Sequence, residues 1–298
     1  MSINDVRIFR FDASSCNGCD IEVLGILTLG LPLDELGIKI VDTPQEANTL
    51  VITGGANIKS EVELEEIYEL IEPPRRVIAI GSCAASMGIF KGGYSMVGPI
   101  DEIVPVDLYI MGCPPRPHVI AGALADALGL SIEGVESLLE TPEGFRAEPV
   151  VNSTSCIGCA ACVHSCPAGA IEIGDSGTDR IVKFTYKDCI CCATCEEVCP
   201  SEAVELTYKD KSWFADKETA TSEATLELKK CLLCGLPFVS SRQIEWAMKK
   251  VEEKLRIPAE ARGQLLRSSS ICTDCRRKGI NEVKEAKKTL ASLAMRSL

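Results

Sequence analysis

Several kinds of protein are excluded by what these 298 residues lack. The longest apolar run, Val77–Phe90, has 14 residues and is broken by Gly, Ser and Cys, too short to span a bilayer. The N-terminal MSINDVRIFRF has neither the basic nor the apolar region of a secretory signal, and the pair Arg75–Arg76 is internal. The expectation is a cytoplasmic chain, able to dock peripherally on the cytoplasmic face of a membrane complex. No block of five or six like charges occurs, and the formal net charge is −12, which argues against nucleic acid or an anionic membrane as the main partner. A dinucleotide loop is missing too: VITGGAN, Val51–Asn57, lacks the glycine spacing that cradles a pyrophosphate. With two histidines only, His118 and His164, proton chemistry finds little support.

Cysteine is what the chain has in excess, with 17 residues. In a reducing compartment so many thiols point to metal sites rather than disulfides. They fall into four groups: Cys16, Cys19, Cys83 and Cys113, scattered through the first part; a run of four; a run of five; and two terminal CxxC pairs.

The first 130 or so residues alternate short apolar strands with helices. Strands are expected at Val6–Asp12, Thr49–Gly55, within RVIAIGSCA and within VDLYIMGCPP, and helices at Asp20–Leu29, Ser60–Ile71 and Pro117–Leu128. This pattern implies a parallel α/β sheet, in which ligands bind at the carboxyl edge of the strands. Cys16, Cys83 and Cys113 each follow such a strand, so three loops deliver four thiols, Cys19 included, to one place. Four thiolates there suit an iron–sulfur cluster or zinc. Gly18, Gly81 and Gly112 allow close backbone approach, and the helix after Cys19 would direct its positive end at the site.

The middle of the chain is an internal repeat. SCIGCAACVHSCPAGAIEI, Ser155–Ile173, aligns with DCICCATCEEVCPSEAVEL, Asp188–Leu206, at an offset of 33. Each copy is the C-x2-C-x2-C-x3-C-P run of bacterial ferredoxins, whose fourth cysteine ligates the other cluster. One cluster is thus expected on Cys156, Cys159, Cys162 and Cys199, and the second on Cys189, Cys192, Cys195 and Cys166. Cys191 aligns with Gly158 and is surplus to both sets; a bystander, a redox group and an alternative ligand are its possible roles. The last section is more polar and reads as helical. Its CxxC pairs, Cys231/Cys234 and Cys272/Cys275, favour a tetrahedral zinc site, with rubredoxin-like iron as the alternative. Between them a helix over Ser241–Leu255 would keep Ile244, Met248, Val251 and Leu255 on one face.

SSCNGCDIE, GSCAASMGIF and MGCPPRP together resemble the small, electron-transferring subunit of nickel–iron hydrogenases, above all the membrane-associated energy-converting group, which is related to the cluster-bearing subunit beside the quinone site of respiratory complex I. The resemblance covers about Val6–Leu128. Complex I versions typically begin the ligand set with two adjacent cysteines; the Cys16-x2-Cys19 spacing is the hydrogenase-like form. The remainder resembles the two-cluster ferredoxin subunit of the same complexes, with a CGLPF knuckle after the repeat. F420-reducing hydrogenases of methanogens also fuse these parts.

The resemblance implies a flavodoxin-like domain over residues 1–145 with a proximal 4Fe–4S cluster on Cys16, Cys19, Cys83 and Cys113. A bacterial-ferredoxin-like α+β domain of two 4Fe–4S clusters over 146–208 and a small helical metal-knuckle region over 209–298 would follow. Three clusters would relay electrons between a low-potential carrier such as ferredoxin and a partner large subunit, with membrane subunits as further partners. Nickel–iron sites of the family sit on two CxxC motifs of the large subunit, and every CxxC here has another assignment, so no catalytic residue is expected in this chain. The alternatives are a nickel-free complex I-like reductase of quinone, methanophenazine or sulfur, the same relay in a soluble F420-type hydrogenase, and a non-redox scaffold stapled by zinc at all four sites. Glu22 reads either as a helix-end acid or as a residue beside the partner's active site, and Arg116 either as a charge tuning the proximal cluster or as an interface ion pair. The acidic helix Glu61–Glu72 reads as a solvated face, and Ile280, Val283, Leu290 and Leu293 as a cover for the knuckle or a docking face.

Overall fold

A computed structural model describes residues 6–14, 16–29, 33, 37–129, 148–207, 213–255 and 258–278. The segment Ile280–Leu298 and the boundaries expected near 145 and 208 lie outside the described residues.

The first part is built on parallel strands β1 (Val6–Ser14), β2 (Ile38–Ile40), β3 (Thr49–Gly54), β4 (Arg76–Ile80) and β5 (Leu108–Ile110). Their spatial order is β2-β1-β3-β4-β5. In β3 all six residues, TLVITG, are buried, as expected of a central parallel strand covered on both faces. One face packs Phe11, Leu50, Ile52 and Ala79 against Leu64 and Ile67 of the helix Ile58–Leu70. The other packs Ile8, Val51, Ile78 and Ile110 against Ile120 and Leu124 of the helix Pro117–Leu128. Asn57 caps the first of these helices, its side chain accepting from the Ser60 amide while the Ser60 hydroxyl accepts from Asn57 N–H. Glu63, Glu65, Glu66 and Glu69 face solvent, so this acidic helix presents a solvated face.

The expected helix after Cys19 begins earlier, at Gly18, and runs to Gly25 before a 3-10 turn, Ile26–Thr28. Ala56–Asn57 and Met96–Gly98, remote in sequence, pair antiparallel as a separate two-stranded sheet. The sixth strand of the main sheet comes from far along the chain: Trp213–Phe214 pairs antiparallel with β5.

The repeat is geometric as well as sequential. In the first copy Gly158, Ala160 and Gly169 have φ of 69°, 65° and 65°; at the same offset Cys191, Ala193 and Glu202 have 53°, 63° and 52°. Short helices follow at Ala161–Ser165 and Thr194–Glu197. The AIEI and AVEL ends of the two copies lead into strands that join different sheets. Ile171–Ser176 pairs with Asp179–Thr185, and Val204–Thr207 with Glu148–Val151.

One expectation is corrected. The region 209–298 is not simply helical: it opens with three strands, Trp213–Phe214, the ten-residue Thr221–Lys230 and Pro237–Ser240. The long strand buries Ala224, Leu226 and Leu228 at strict alternation and pairs with Asp179–Thr185. Four of its five exposed positions are Glu or Lys, good helix formers, and pairing across the sheet overrides that propensity. Helices then run over Ser241–Lys254, Ala259–Ser269 and Thr273–Arg277. Ile244 and Met248 are buried against Leu265, whereas Val251 and Leu255 are only half-buried.

Candidate metal centres

All twelve cysteines expected at the first three sites lie where short turns converge, and a common local device places two thiols of the N-terminal site and one of each repeat site. A residue in the left-handed region precedes a helix whose second residue is cysteine: Asn17 before Gly18–Gly25 (Cys19), Gly81 before Ser82–Ser86 (Cys83), Ala160 before Ala161–Ser165 (Cys162) and Ala193 before Thr194–Glu197 (Cys195). Sequence reasoning missed this device because alanine carries no signal for a left-handed backbone.

At the N-terminal site Cys16 is exposed, Cys19 and Cys83 are buried and Cys113 is half-buried. Burial, then the charges of Cys83, Cys113 and Cys16, drive the Cys19 thiol far above its ordinary range. Burial with Cys113 and Cys16 nearby pushes Cys83 up to about 12. Four mutually repelling thiolates in a buried pocket require positive charge among them, so the donor set fits an iron–sulfur cluster or a metal ion. Gly81, at φ 92°, leaves room for this arrangement: a Cβ there would overlap the Cys19 sulfur.

The repeat forms two cavities. Cys156, Cys159, Cys162 and Cys199 line one; Cys166, Cys189, Cys192 and Cys195 line the other. Each therefore draws three thiols from one copy and the fourth from the other. Burial, with Cys159 next, pushes Cys162 up to about 12, and burial, with Cys189 next, does the same to Cys195. Backbone amides aim at the fourth cysteines in matched fashion: Ala170 N–H donates to Cys166 Sγ at 3.3 Å and Ala203 N–H to Cys199 Sγ at 3.2 Å. Such N–H···S bonds stabilise thiolate and are one lever on cluster potential.

Cys231, Cys234, Cys272 and Cys275 bring their sulfurs within 4.8 Å of one another. Burial works against ionising Cys231, but the amides of Cys272, Cys234 and Leu233 outweigh it and hold this thiol at about 6. Hydrogen bonding to Cys272 and then burial push Cys275 up to about 12. Phe238 and Ile271 supply the small apolar core around the four sulfurs.

The sites lie in series. Ser82 Oγ is 2.6 Å from the Cys189 carbonyl oxygen, and Ser86 Oγ donates to the Lys187 carbonyl at 2.8 Å, joining the N-terminal site to the Cys189 set. Lys217 reinforces the junction, donating to the Ala85 carbonyl at 2.9 Å and pairing with Asp101 at 2.6 Å. Cys162 and Cys195 connect the two repeat cavities electrostatically. Beyond them, Ser240 Oγ donates to the Ile157 carbonyl at 2.6 Å, Arg242 to the Cys156 carbonyl at 3.2 Å, and Trp246 Nε1 to the Pro200 carbonyl at 3.2 Å. The knuckle segment thus covers the Cys156 set. These contacts were not legible in the sequence, since their partners are far apart along the chain and lie on ordinary Ser, Lys and Arg residues.

The remaining candidates have simpler places. Arg116 forms an ion pair with Glu22 at 2.7 Å, so the two residues answer each other within the chain. His164 is exposed; His118, in the first turn of its helix, is half-buried. Among the described residues no helix is long and apolar enough to cross a membrane.

Cysteine sets at the edge of a parallel α/β sheet and in a ferredoxin repeat, joined in series, define an iron–sulfur electron-transfer protein. Residues 16–127 match the NADH ubiquinone oxidoreductase, 20 Kd subunit, and residues 155–203 a 4Fe-4S dicluster domain. The chain is 34% identical over 141 residues to a probable membrane-bound hydrogenase subunit of Pyrococcus furiosus, covering 47% of this chain and 84% of that one. It is 37% identical over 123 residues to formate hydrogenlyase subunit 7 of Escherichia coli, covering 41% and 48%. With an NADH-quinone oxidoreductase subunit of Amoebophilus asiaticus it shares 36% identity over 107 residues, 36% and 67% of the two chains. The protein belongs to the NADH ubiquinone oxidoreductase 20 Kd subunit family, with a 4Fe–4S dicluster domain following the family's segment. It is an electron-transfer subunit of an oxidoreductase complex.

Proposed function

We propose that this chain is the electron-transfer subunit of a multi-subunit nickel–iron hydrogenase, relaying electrons between a low-potential carrier such as ferredoxin and the hydrogen site of a large subunit. The observation that carries this reading is the serial placement of three four-cysteine sets between a thiol open to a partner and a capped far end. Cys16, Cys19, Cys83 and Cys113 would hold the proximal 4Fe–4S cluster. Cys166, Cys189, Cys192 and Cys195 would hold the medial one, and Cys156, Cys159, Cys162 and Cys199 the distal one. When bound, such clusters accept and release one electron at a time. The chain's part is to fix their order, bury them to different depths and direct amides at their sulfurs. The strand order of the first sheet supports a flavodoxin-like domain.

The partner face is the one around Cys16. Cys16 is exposed, and on the helix beside it and the turn that follows Ile21, Leu24 and Leu27 are 65%, 42% and 54% exposed. Apolar side chains around an exposed ligand suit a permanent subunit contact. The named membrane-bound relative supports a peripheral place on a membrane complex. Three functional segments, residues 1–145, 146–208 and 209–298, are assigned to the proximal site, the two-cluster relay and a zinc knuckle that staples the cover of the distal site. They are not separate packing units, because strands of the third segment complete sheets of the first two.

The test is elemental analysis of the complex purified anaerobically through a tag on this chain. About 12 irons and about one zinc per chain follow from three four-iron clusters and the knuckle. Nickel near one per chain, with hydrogen-dependent dye reduction, supports the hydrogenase. The same iron without nickel, large subunit present, replaces it with the complex I-like reductase. Little iron and about four zincs per chain would end the relay reading.

A further inference from the structure

We infer that Cys191, the thiol that the ferredoxin repeat does not need, is a positioning residue that fixes the Cys189 set, bonded by its amide, to the core beneath the N-terminal cysteine set, which its side chain enters. The inference rests on the reading of those two sets as cluster sites.

The repeat itself isolates what is special about this residue. Its counterpart Gly158 occupies the left-handed region at φ 69°, and Cys191 does so at 53°. For glycine this conformation is free, whereas a Cβ makes it unfavourable. The backbone task at the two positions is shared. Cys191 N–H donates to Cys189 Sγ at 3.3 Å, and Gly158 N–H bonds the Cys156 thiol in the same way. Glycine would therefore perform the amide's task with less strain, and the side chain must be kept in place by contacts of its own. An observed backbone outlier beside a functional site is grounds for asking what those contacts do.

The side chains at the two positions have different surroundings. A Cβ at Gly158 would meet Arg180, which ties this copy to the Phe238 carbonyl, whereas the Cys191 side chain lies in the core cluster of the first sheet. It is buried, 8% exposed, and packs in the same apolar cluster as Phe11, Ala84 and Met111 of the parallel sheet and its loops. Its sulfur interacts first with the Cys189 side chain, then with the Cys113 backbone and the Tyr186 side chain. Cys191 therefore reaches the Cys189 sulfur through its amide, and through its side chain the core that holds Met111, two residues before Cys113. Ser82 fastens the same junction, with Oγ 3.2 Å from the Gly112 carbonyl and 2.6 Å from that of Cys189.

The thiol is neither oxidised nor reduced in this role. One electron lost on one side of it is gained on the other, and no bond at Cys191 is made or broken. Its contribution is to hold Cys113 and Cys189 in fixed relation and to fill the space between them with bonded contacts instead of a void.

The intact complex carrying Cys191→Gly or Cys191→Ser tests this. Glycine keeps the amide bond to Cys189 and suits the left-handed backbone, so folding and iron content should match the wild type. With iron matched, Cys191→Gly should slow electron equilibration between the two clusters about tenfold, the lower end of what loss of a contact behind a metal ligand costs. It should also weaken their magnetic interaction in paramagnetic resonance and speed amide exchange in the peptide bearing Cys113. Cys191→Ser, which keeps an acceptor, should equilibrate within about twofold of wild type. Wild-type rate, magnetic interaction and amide exchange in Cys191→Gly at full iron would make the thiol a bystander and overturn the inference. Loss of iron in both variants would overturn it too, by making the thiol a ligand or a folding requirement. Absence of iron in the wild-type complex would instead sink the reading on which the inference rests.

Discussion

At the scale of single residues, the sites depend on where a Cβ is allowed and where it is not. Gly81 is the clearest case, since its φ of 92° and the sulfur of Cys19 both forbid a side chain. Gly81→Ala is expected to remove the N-terminal cluster alone, lowering iron by about four per chain while the two ferredoxin-type signals persist. Iron analysis with resonance spectra checks this; full iron and an unchanged spectrum would show that the loop can shift to accommodate a methyl group. The Arg116–Glu22 ion pair illustrates the opposite lesson. Both residues drew attention as charged groups beside a cluster, and each turns out to be the other's partner.

Among the elements, the knuckle is held by backbone amides as much as by its fourfold thiol set. The Cys231 thiol lies at about 6, down from an ordinary 9.0, under the amides of Cys272, Cys234 and Leu233, with burial opposing them. A lowered thiol contributes stability that is fully present above its unfolded value and lost as pH falls through its folded value. Protons therefore compete with the metal at this ligand only as pH approaches about 6. Zinc affinity measured with a chromophoric chelator should fall evenly from about pH 8 to about 6.5, as the raised Cys275 and Cys234 thiols exchange protons for metal, and more steeply below about 6, where Cys231 joins them. An unchanged slope on either side of about pH 6 would contradict the amide-held thiolate.

Over the whole molecule, charge is divided unevenly. Residues 209–298 carry 19 Lys and Arg against 12 Asp and Glu, while the entire chain carries 31 against 43. The acidic excess thus resides wholly in the first two segments, and the basic segment covers the Cys156 set. An acidic carrier that delivers electrons at this end is steered by that field, and salt screens it. Reduction of the complex by an acidic ferredoxin should slow several-fold as ionic strength rises from about 0.05 to about 0.3 M. A rate that is flat or rises with salt would place the carrier's docking elsewhere.

Thiol count, repeat and strand-end spacing determined much of this protein by themselves. CxxC and ferredoxin-run spacings are local rules of metal coordination, and alternation of apolar runs is a local rule of parallel sheets, so the cysteine sets and the first sheet could be read in order along the chain. The ferredoxin run carried the expectation that Cys199 joins Cys156 and Cys166 joins Cys189, and the two cavities are lined in that crossed way. The tertiary structure alone decided what lies between the sites. It returned Trp213–Phe214 to the first sheet, made a ten-residue strand of a Glu- and Lys-rich segment, and set the Cys191 sulfur against the Cys113 backbone. These outcomes depend on contacts between segments remote in sequence, and no periodicity within either segment encodes the other. The order of the wire is a property of packing, and its stations are a property of spacing.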